Sequence, residues 1–216
     1  IDELNLDFVP DIVGISAIFN SQISYLHLIS EYCKQIWPEL LVTAGGGGPS
    51  NLSQEVFDMA PSVDTIAKGE AERPFLHLIE ATDRISFLES SNVWKTRKGL
   101  KEGKEYRVDF IEDLDEIPFL KYDLLESNRN LEDGSGKTSQ ESDIFHNRNL
   151  SYVKEGARAA SMMTSRGCPF YCSFCATHTI HGRKMRYHSV ERVVEDALRL
   201  KNEFGVNALL FEDDLF

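Results

Sequence analysis

Apolar and polar positions over the first 82 residues alternate between two periods. After Pro10, Ile12, Val13 and Ile15 form a short apolar run within residues 11–18, the pattern of a strand covered on both faces. From Ile23 the period lengthens: Ile23, Leu26, Ile29, Cys33 and Ile36 recur at helical spacing until Pro38 ends the run. Residues 40–44 predict a second strand, followed by the glycines 45–48. Asn51, with Gln54 three residues on, predicts a capping box opening a helix that carries Leu52, Val56 and Met59 inward. Residues 63–67 predict a third strand, and Lys68-Gly69-Glu70 a turn into a helix with Phe75, Leu76 and Ile79. Strands alternating with helices predict an α/β class with a doubly wound parallel sheet over residues 1–82.

The pattern then changes. Residues 92–97 and 105–110 flank Gly99 and Gly103 and predict a small hairpin, and residues 113–118 read as a connector. Residues 126–148 are polar and rich in Gly, Ser and Asn, which predicts an exposed loop within a middle segment 83–158. From residue 159 the alternation resumes, with a strand at 159–164 and a long loop at 166–188. Ser189 caps a helix carrying Val190, Val193, Val194, Ala197, Leu198 and Phe204, and Gly205 stops it. Residues 207–212 predict the next strand.

Charge narrows the function classes. With 35 acidic and 23 basic residues the net charge is -12, which argues against a general nucleic-acid binder. No apolar run approaches the roughly 20 residues that span a bilayer. A soluble, cytoplasmic protein is expected. The loop 166–188 runs against the acidic balance: it holds Arg166, Arg183, Lys184 and Arg186 and no acidic residue, as a loop near negative charge would. Strand patterns stand close to both chain ends and there is no initial Met, so the expectation is a fragment cut inside domains, inactive alone.

The strongest chemical signal is Cys168-Pro-Phe-Tyr-Cys172-Ser-Phe-Cys175, a C-x3-C-x2-C run directly after a strand. Thiols this close suit a metal or cluster better than a disulfide framework. Three thiolates can hold three irons of a 4Fe-4S cube and leave the fourth open to a substrate. Zinc, with His178 or His181 as fourth ligand, is the competing reading, though zinc favours paired knuckles and no second pair follows. Cys33, on the apolar face of its helix, reads as a core residue.

The run Ser165-Arg-Gly-Cys-Pro-Phe-Tyr-Cys-Ser-Phe-Cys175 closely resembles the signature of the radical S-adenosylmethionine (SAM) superfamily. The resemblance implies that Cys168, Cys172 and Cys175 ligate a 4Fe-4S cluster whose open iron chelates the amino and carboxylate groups of SAM. It further implies reductive cleavage of SAM to a 5'-deoxyadenosyl radical, and a (β/α) barrel whose first βα units begin at residue 159. Phe174 matches the position that packs on adenine. Phe211-Glu-Asp-Asp-Leu-Phe216 resembles the acidic motif of the relatives that carry a B12-binding domain, which assigns Asp213 and Asp214 to the SAM ammonium. A solvated acidic turn is the alternative.

The first 82 residues resemble the cobalamin (B12)-binding domain that precedes many such barrels. On that resemblance Ser16, Gly45 and Gly46 are its strand-end Ser and Gly-Gly, residues 63–70 supply its Gly-Glu turn, and 113–118 its connector. A G-x-G-x-x-G fingerprint fails at Ser50, and no D-x-H-x-x-G, which supplies a lower cobalt ligand in some relatives, occurs. Cobalamin bound without a protein histidine, a histidine lost with the N-terminus, and a vestigial domain all stay open. The implied cofactors are a 4Fe-4S cluster, SAM and cobalamin. The implied partners are a small-molecule substrate and an electron donor such as flavodoxin or ferredoxin. The expected reaction is methyl transfer to, or rearrangement of, an unactivated carbon. The competing functions are an iron-sulfur electron-transfer module and a cobalamin carrier with a degenerate barrel. Gly134-Ser-Gly-Lys-Thr138 hints at a phosphate loop, but Leu131 stands where its first glycine is required.

Overall fold

The computed structural model describes residues 9–122 and 158–216. The first eight residues, the polar stretch 126–148 and the segment 134–138 lie outside the described residues. The chain forms two compact units, one of residues 1–111 with 168–184, the other of residues 112–167 with 185–216. The cysteine loop, residues 168–184, falls in the first of these units.

In the first unit, strands β1 (Ile12–Ser16), β2 (Leu41–Gly45) and β3 (Thr65–Ala67) pair in parallel. A fourth strand, β4 (Trp94–Thr96), adds antiparallel to β3, so the sheet order is β1-β2-β3-β4. Side chains alternate across the pleat. Val13, Ile15, Val42, Ala44 and Ile66 face one layer, built from helices α1 (Ile23–Ile36) and α3 (Ser53–Met59). Ile12, Leu41, Ala67 and Trp94 face the other, built from α4 (Glu72–Glu80) and α5 (Arg84–Ser90). Helices on both faces of a largely parallel sheet are the predicted α/β architecture. Leu26, Val42, Val56, Phe57, Ile66 and Leu78 are almost fully enclosed, each contributing about 1.5–3 kcal/mol of hydrophobic burial.

Several expectations are corrected. The predicted hairpin of 92–97 with 105–110 does not form. Residues 94–96 complete the sheet edge instead, which satisfies β3's outer backbone groups and buries the Trp94 ring, whose Nε1 donates to Pro74 O at 3.3 Å. The expected turn is a short helix, α6 (Arg97–Lys101), capped by Thr96. Asn51 does not open a helix: it ends a short one, α2 (Gly47–Asn51), that begins within the glycines. Gly46 makes this possible, because at φ 93° a Cβ there would meet Ala17 O at 2.7 Å. Met59, Ile29 and Ile36 are exposed, because Phe57 and Ser30 take the inward positions on their helices.

One buried cation fastens this region. Lys95 is 9% exposed, and its Nζ donates to Ser50 O at 2.7 Å and Ser53 Oγ at 2.6 Å, bracing the C-terminal end of α2. Burial and then the nearby Lys68 charge push its pKa down to about 8 from 10.5. Between those values the folded state has lost the proton that the unfolded state keeps, so this group makes stability rise with pH across about 8 to 10.5. Lys95→Met is expected to flatten that rise, read as the difference between wild-type and variant urea midpoints at pH values on either side of the window.

In the second unit, β5 (Ala159–Met162) and β8 (Ala208–Phe211) pair in parallel, joined through helix α7 (Val190–Phe204). Val193, Ala197, Leu200 and Phe204 pack on Ala160, Met162, Val206 and Leu209, whereas Val190, Val194 and Leu198 are exposed. Strands β6 (Ser165–Arg166) and β7 (Arg186–Tyr187) form a short antiparallel ribbon. Ser189 caps α7 as predicted, its Oγ accepting from Arg192 N at 3.1 Å. Asp115, in the predicted connector, accepts from His188 Nδ1 and Ser189 N, each at 3.0 Å. Hydrogen bonds from Ser189, its hydroxyl above all, and from His188 hold the Asp115 carboxyl below its usual range. Among the described residues, no helix is long and apolar enough to cross a membrane.

Candidate cluster loop and ligand edge

Parallel strands that end together leave a crevice at their carboxyl ends, where ligands of such sheets bind. Ser16 and Gly45 are register partners at that edge, and Ser16 is exposed. A Cβ added to Gly45 would meet nothing within 4 Å, so the backbone there is open to a ligand. Gly46 and Gly47 serve another purpose: added Cβ atoms would strike Ala17 O and Ile18 O, so these glycines fit the chain against itself. The larger of two described hollows, about 890 Å³, lies at the opposite end, lined by Pro10, Trp37, Leu40, Asp64 and Arg84, and holds none of the predicted residues.

The cysteine loop starts from Cys168, whose N–H donates to Gly182 O at 3.2 Å, and turns at Cys172–Cys175, where Cys175 N donates to Cys172 O at 3.2 Å. Arg183 braces its first half: Nη1 donates to Phe170 O at 2.5 Å and the guanidinium lies 3.8 Å from the Tyr171 ring centroid. Cys168 and Cys175 are half-buried and Cys172 is exposed, and none of the four cysteines is in a disulfide. Among the described residues no three Cys, His, Asp or Glu side chains stand together as a ready metal site, so a cluster would draw the three thiols together. The donor set still fits iron-sulfur chemistry, since soft thiolates in an accessible loop beside a cation suit a cluster. Phe174 is 91% exposed. Burial raises the Cys33 thiol's pKa, and Cys33 sits in the core of α1 as predicted.

The second half of the loop reaches the ligand edge of its own unit. Asn51 Nδ2 donates to Thr179 Oγ1 at 2.9 Å, and His181 Nδ1 lies 3.0 Å from Glu70 Oε1. His181, one of the two histidines considered for zinc, is thus held by a carboxylate. Sequence reasoning missed Glu70 as an individual site residue. The available signal was a lone carboxylate in a glycine turn between an apolar strand and a helix.

In the second unit the predicted acidic residues bind the chain that follows β5. Asp213 Oδ1 accepts from Thr164 N at 2.8 Å, Ser165 Oγ at 2.8 Å and Ser165 N, and both of its oxygens lie 3.1 Å from Thr164 Oγ1. Asp214 Oδ2 accepts from Gly167 N at 3.0 Å, the residue before Cys168 in the chain.

No family model matches the chain. It is 30% identical over 209 residues to an uncharacterized methyltransferase of Pyrococcus horikoshii, covering 97% of this chain and 40% of that protein. It is 29% identical to the cytidylyl-2-hydroxyethylphosphonate methyltransferase of Streptomyces wedmorensis, covering 96% of this chain and 40% of that one. The hopanoid C-3 methylase of Methylococcus capsulatus is 28% identical, over 89% of this chain and 33% of its own length. These relatives are methyltransferases. The chain spans about 40% of the length of the first two. Its fold is shared with part of TsrM from Kitasatospora setae, a radical SAM methyltransferase, at TM-score 0.60 and 14% identity over 96% of this chain and 38% of TsrM. TsrM structures contain a SAM analog with tryptophan, or cobalamin with a 4Fe-4S cluster.

Proposed function

We propose that this chain is the cofactor-binding part of a cobalamin-dependent radical SAM enzyme that methylates an unactivated carbon. The observation that carries the reading is the packing of a three-thiol loop into the same compact unit as the open carboxyl edge of a parallel sheet. An electron-transfer module has no use for that edge, and a zinc knuckle has no use for a thiol set lacking a second pair. Three relatives at 28–30% identity are methyltransferases and support methyl transfer, while two cyclases at 27–28% identity make ring formation the second reading.

In this reading Cys168, Cys172 and Cys175 hold three irons, and Phe174 offers its exposed ring to the adenine of SAM. Asp213 and Asp214 are the carboxylates offered to the SAM ammonium, with Asp214 the better candidate because Asp213 is engaged by Thr164 and Ser165. Ser16 and the open backbone at Gly45 line the cobalamin edge, with Gly46 shaping the turn beside them. When bound, the cluster supplies the electron that cleaves SAM to methionine and a 5'-deoxyadenosyl radical, and cobalamin supplies the methyl carrier. Arg183 offsets negative charge at the thiols. The electron comes from a donor of the flavodoxin or ferredoxin kind, and the protein works in the cytoplasm.

The test is anaerobic iron-sulfur reconstitution of the full-length protein, followed by EPR of the reduced form with and without SAM. A 4Fe-4S signal that changes on adding SAM is the expected result. Bound zinc, or a cluster whose spectrum ignores SAM, would overturn the reading.

A further inference from the structure

Glu70 is the most buried carboxylate among the described residues, 3% exposed, at the carboxyl end of β3 in the Gly-Glu turn. A buried carboxylate is costly unless its oxygens are satisfied. Here one oxygen takes His181 Nδ1 at 3.0 Å and the other Ile111 N at 3.1 Å. His181 comes from the far half of the cysteine loop, 111 residues away in the chain. A second bond, from Asn51 beside the glycine turn of β2 to Thr179, ties the same loop segment at 2.9 Å. Next to His181, Gly182 lies so near the Phe110 ring that an added Cβ would come within 2.9 Å of it. The loop is therefore seated at the end of β2, whose last residue is the open Gly45, and at the end of its neighbour β3.

From this we infer that Glu70 and Asn51, gripping His181 and Thr179, form a latch that positions the cysteine loop and links it to whatever occupies the sheet edge. The four are positioning residues: they reach the thiols through the loop backbone. A ligand at the edge bears on the turns after β2 and β3, and those turns hold the loop, so edge occupancy and loop posture share one free energy. Such coupling is reciprocal. With a corrinoid at the edge, which rests on the function proposed above, cobalamin binding and cluster loading alter each other's affinity.

The latch is tested first without cofactors, by amide hydrogen exchange of residues 177–182 in the full-length protein. Glu70→Gln and His181→Gln are each expected to speed exchange there by about tenfold or more, and the double variant by little beyond either, because both remove one shared contact. Retained protection in β2 separates an opened latch from an unfolded chain, and Glu70→Asp is expected to restore part of the protection. Unchanged exchange at 177–182 in all variants would overturn the latch. The link is tested by titrating hydroxocobalamin with and without the reconstituted cluster. The wild-type affinities are expected to differ by about fivefold or more, and the variant affinities by less than about twofold. A difference retained in both variants would overturn the link. A wild-type protein that takes up a cluster and no cobalamin would overturn the corrinoid reading and the link together, while the exchange result would still judge the latch.

Discussion

Replacing any one of Cys168, Cys172 or Cys175 with Ala is expected to lower SAM cleavage by the reconstituted full-length protein more than a hundredfold. Even groups that merely orient metal ligands are worth about 10–100-fold, and a ligand is worth more. Two thiolates cannot hold a cube that already leaves one iron open. The readout is iron and sulfide content together with 5'-deoxyadenosine and methionine formed under reducing conditions. The fold should hardly notice, because the loop thiols are exposed or half-buried and such substitutions cost within about 1 kcal/mol. Cys33→Ala is the control: it leaves the cluster intact and costs about 1 kcal/mol through the gap in the α1 core. Full cleavage activity in any one of the three loop variants would remove that cysteine from the ligand set.

The second large effect separates two neighbouring carboxylates. Asp213→Ala strips acceptors from the backbone N–H groups of Thr164 and Ser165, and from both hydroxyls. Leaving such donors unmet is expected to cost about 2–4 kcal/mol in denaturant unfolding. Asp214→Ala removes one hydrogen bond, from Gly167 N, and should cost about 1 kcal/mol. The order reverses for ligand binding. Asp214→Ala is expected to weaken SAM binding by about tenfold or more, the scale of a charge-assisted hydrogen bond to an ammonium. Equilibrium binding of SAM to the reconstituted protein measures this. If Asp214→Ala binds SAM as the wild type does, the acidic strand end serves only to fold the turn.

Much of the architecture was readable along the chain. The strand runs at Ile12 and Leu41, the helix from Ile23 and the Ser189 cap stand as predicted, because local spacing and capping decide them. The cysteine spacing was equally legible, since three thiols on one loop are a local feature. Long-range competition was not. Residues 105–110 lost their strand pairing because Trp94 gained more by closing the sheet beside β3 and burying its ring. Asn51, with a good capping-box spacing, went to the end of a helix because the glycines before it nest against Ala17 and Ile18.

The sequence by itself therefore determined the strand–helix alternation, the thiol set and the acidic strand end: each depends on residue types at short separations, where periodicity and ligand chemistry act directly. Only the tertiary structure decided that the second half of the cysteine loop is bound at the ends of β2 and β3 through Asn51 and Glu70, and that Asp213 is engaged by Thr164 and Ser165. Those partnerships join residues roughly 50 to 130 positions apart. The physical reason is that a buried carboxylate must find its donors wherever the fold brings them, and no local pattern records which donors arrive.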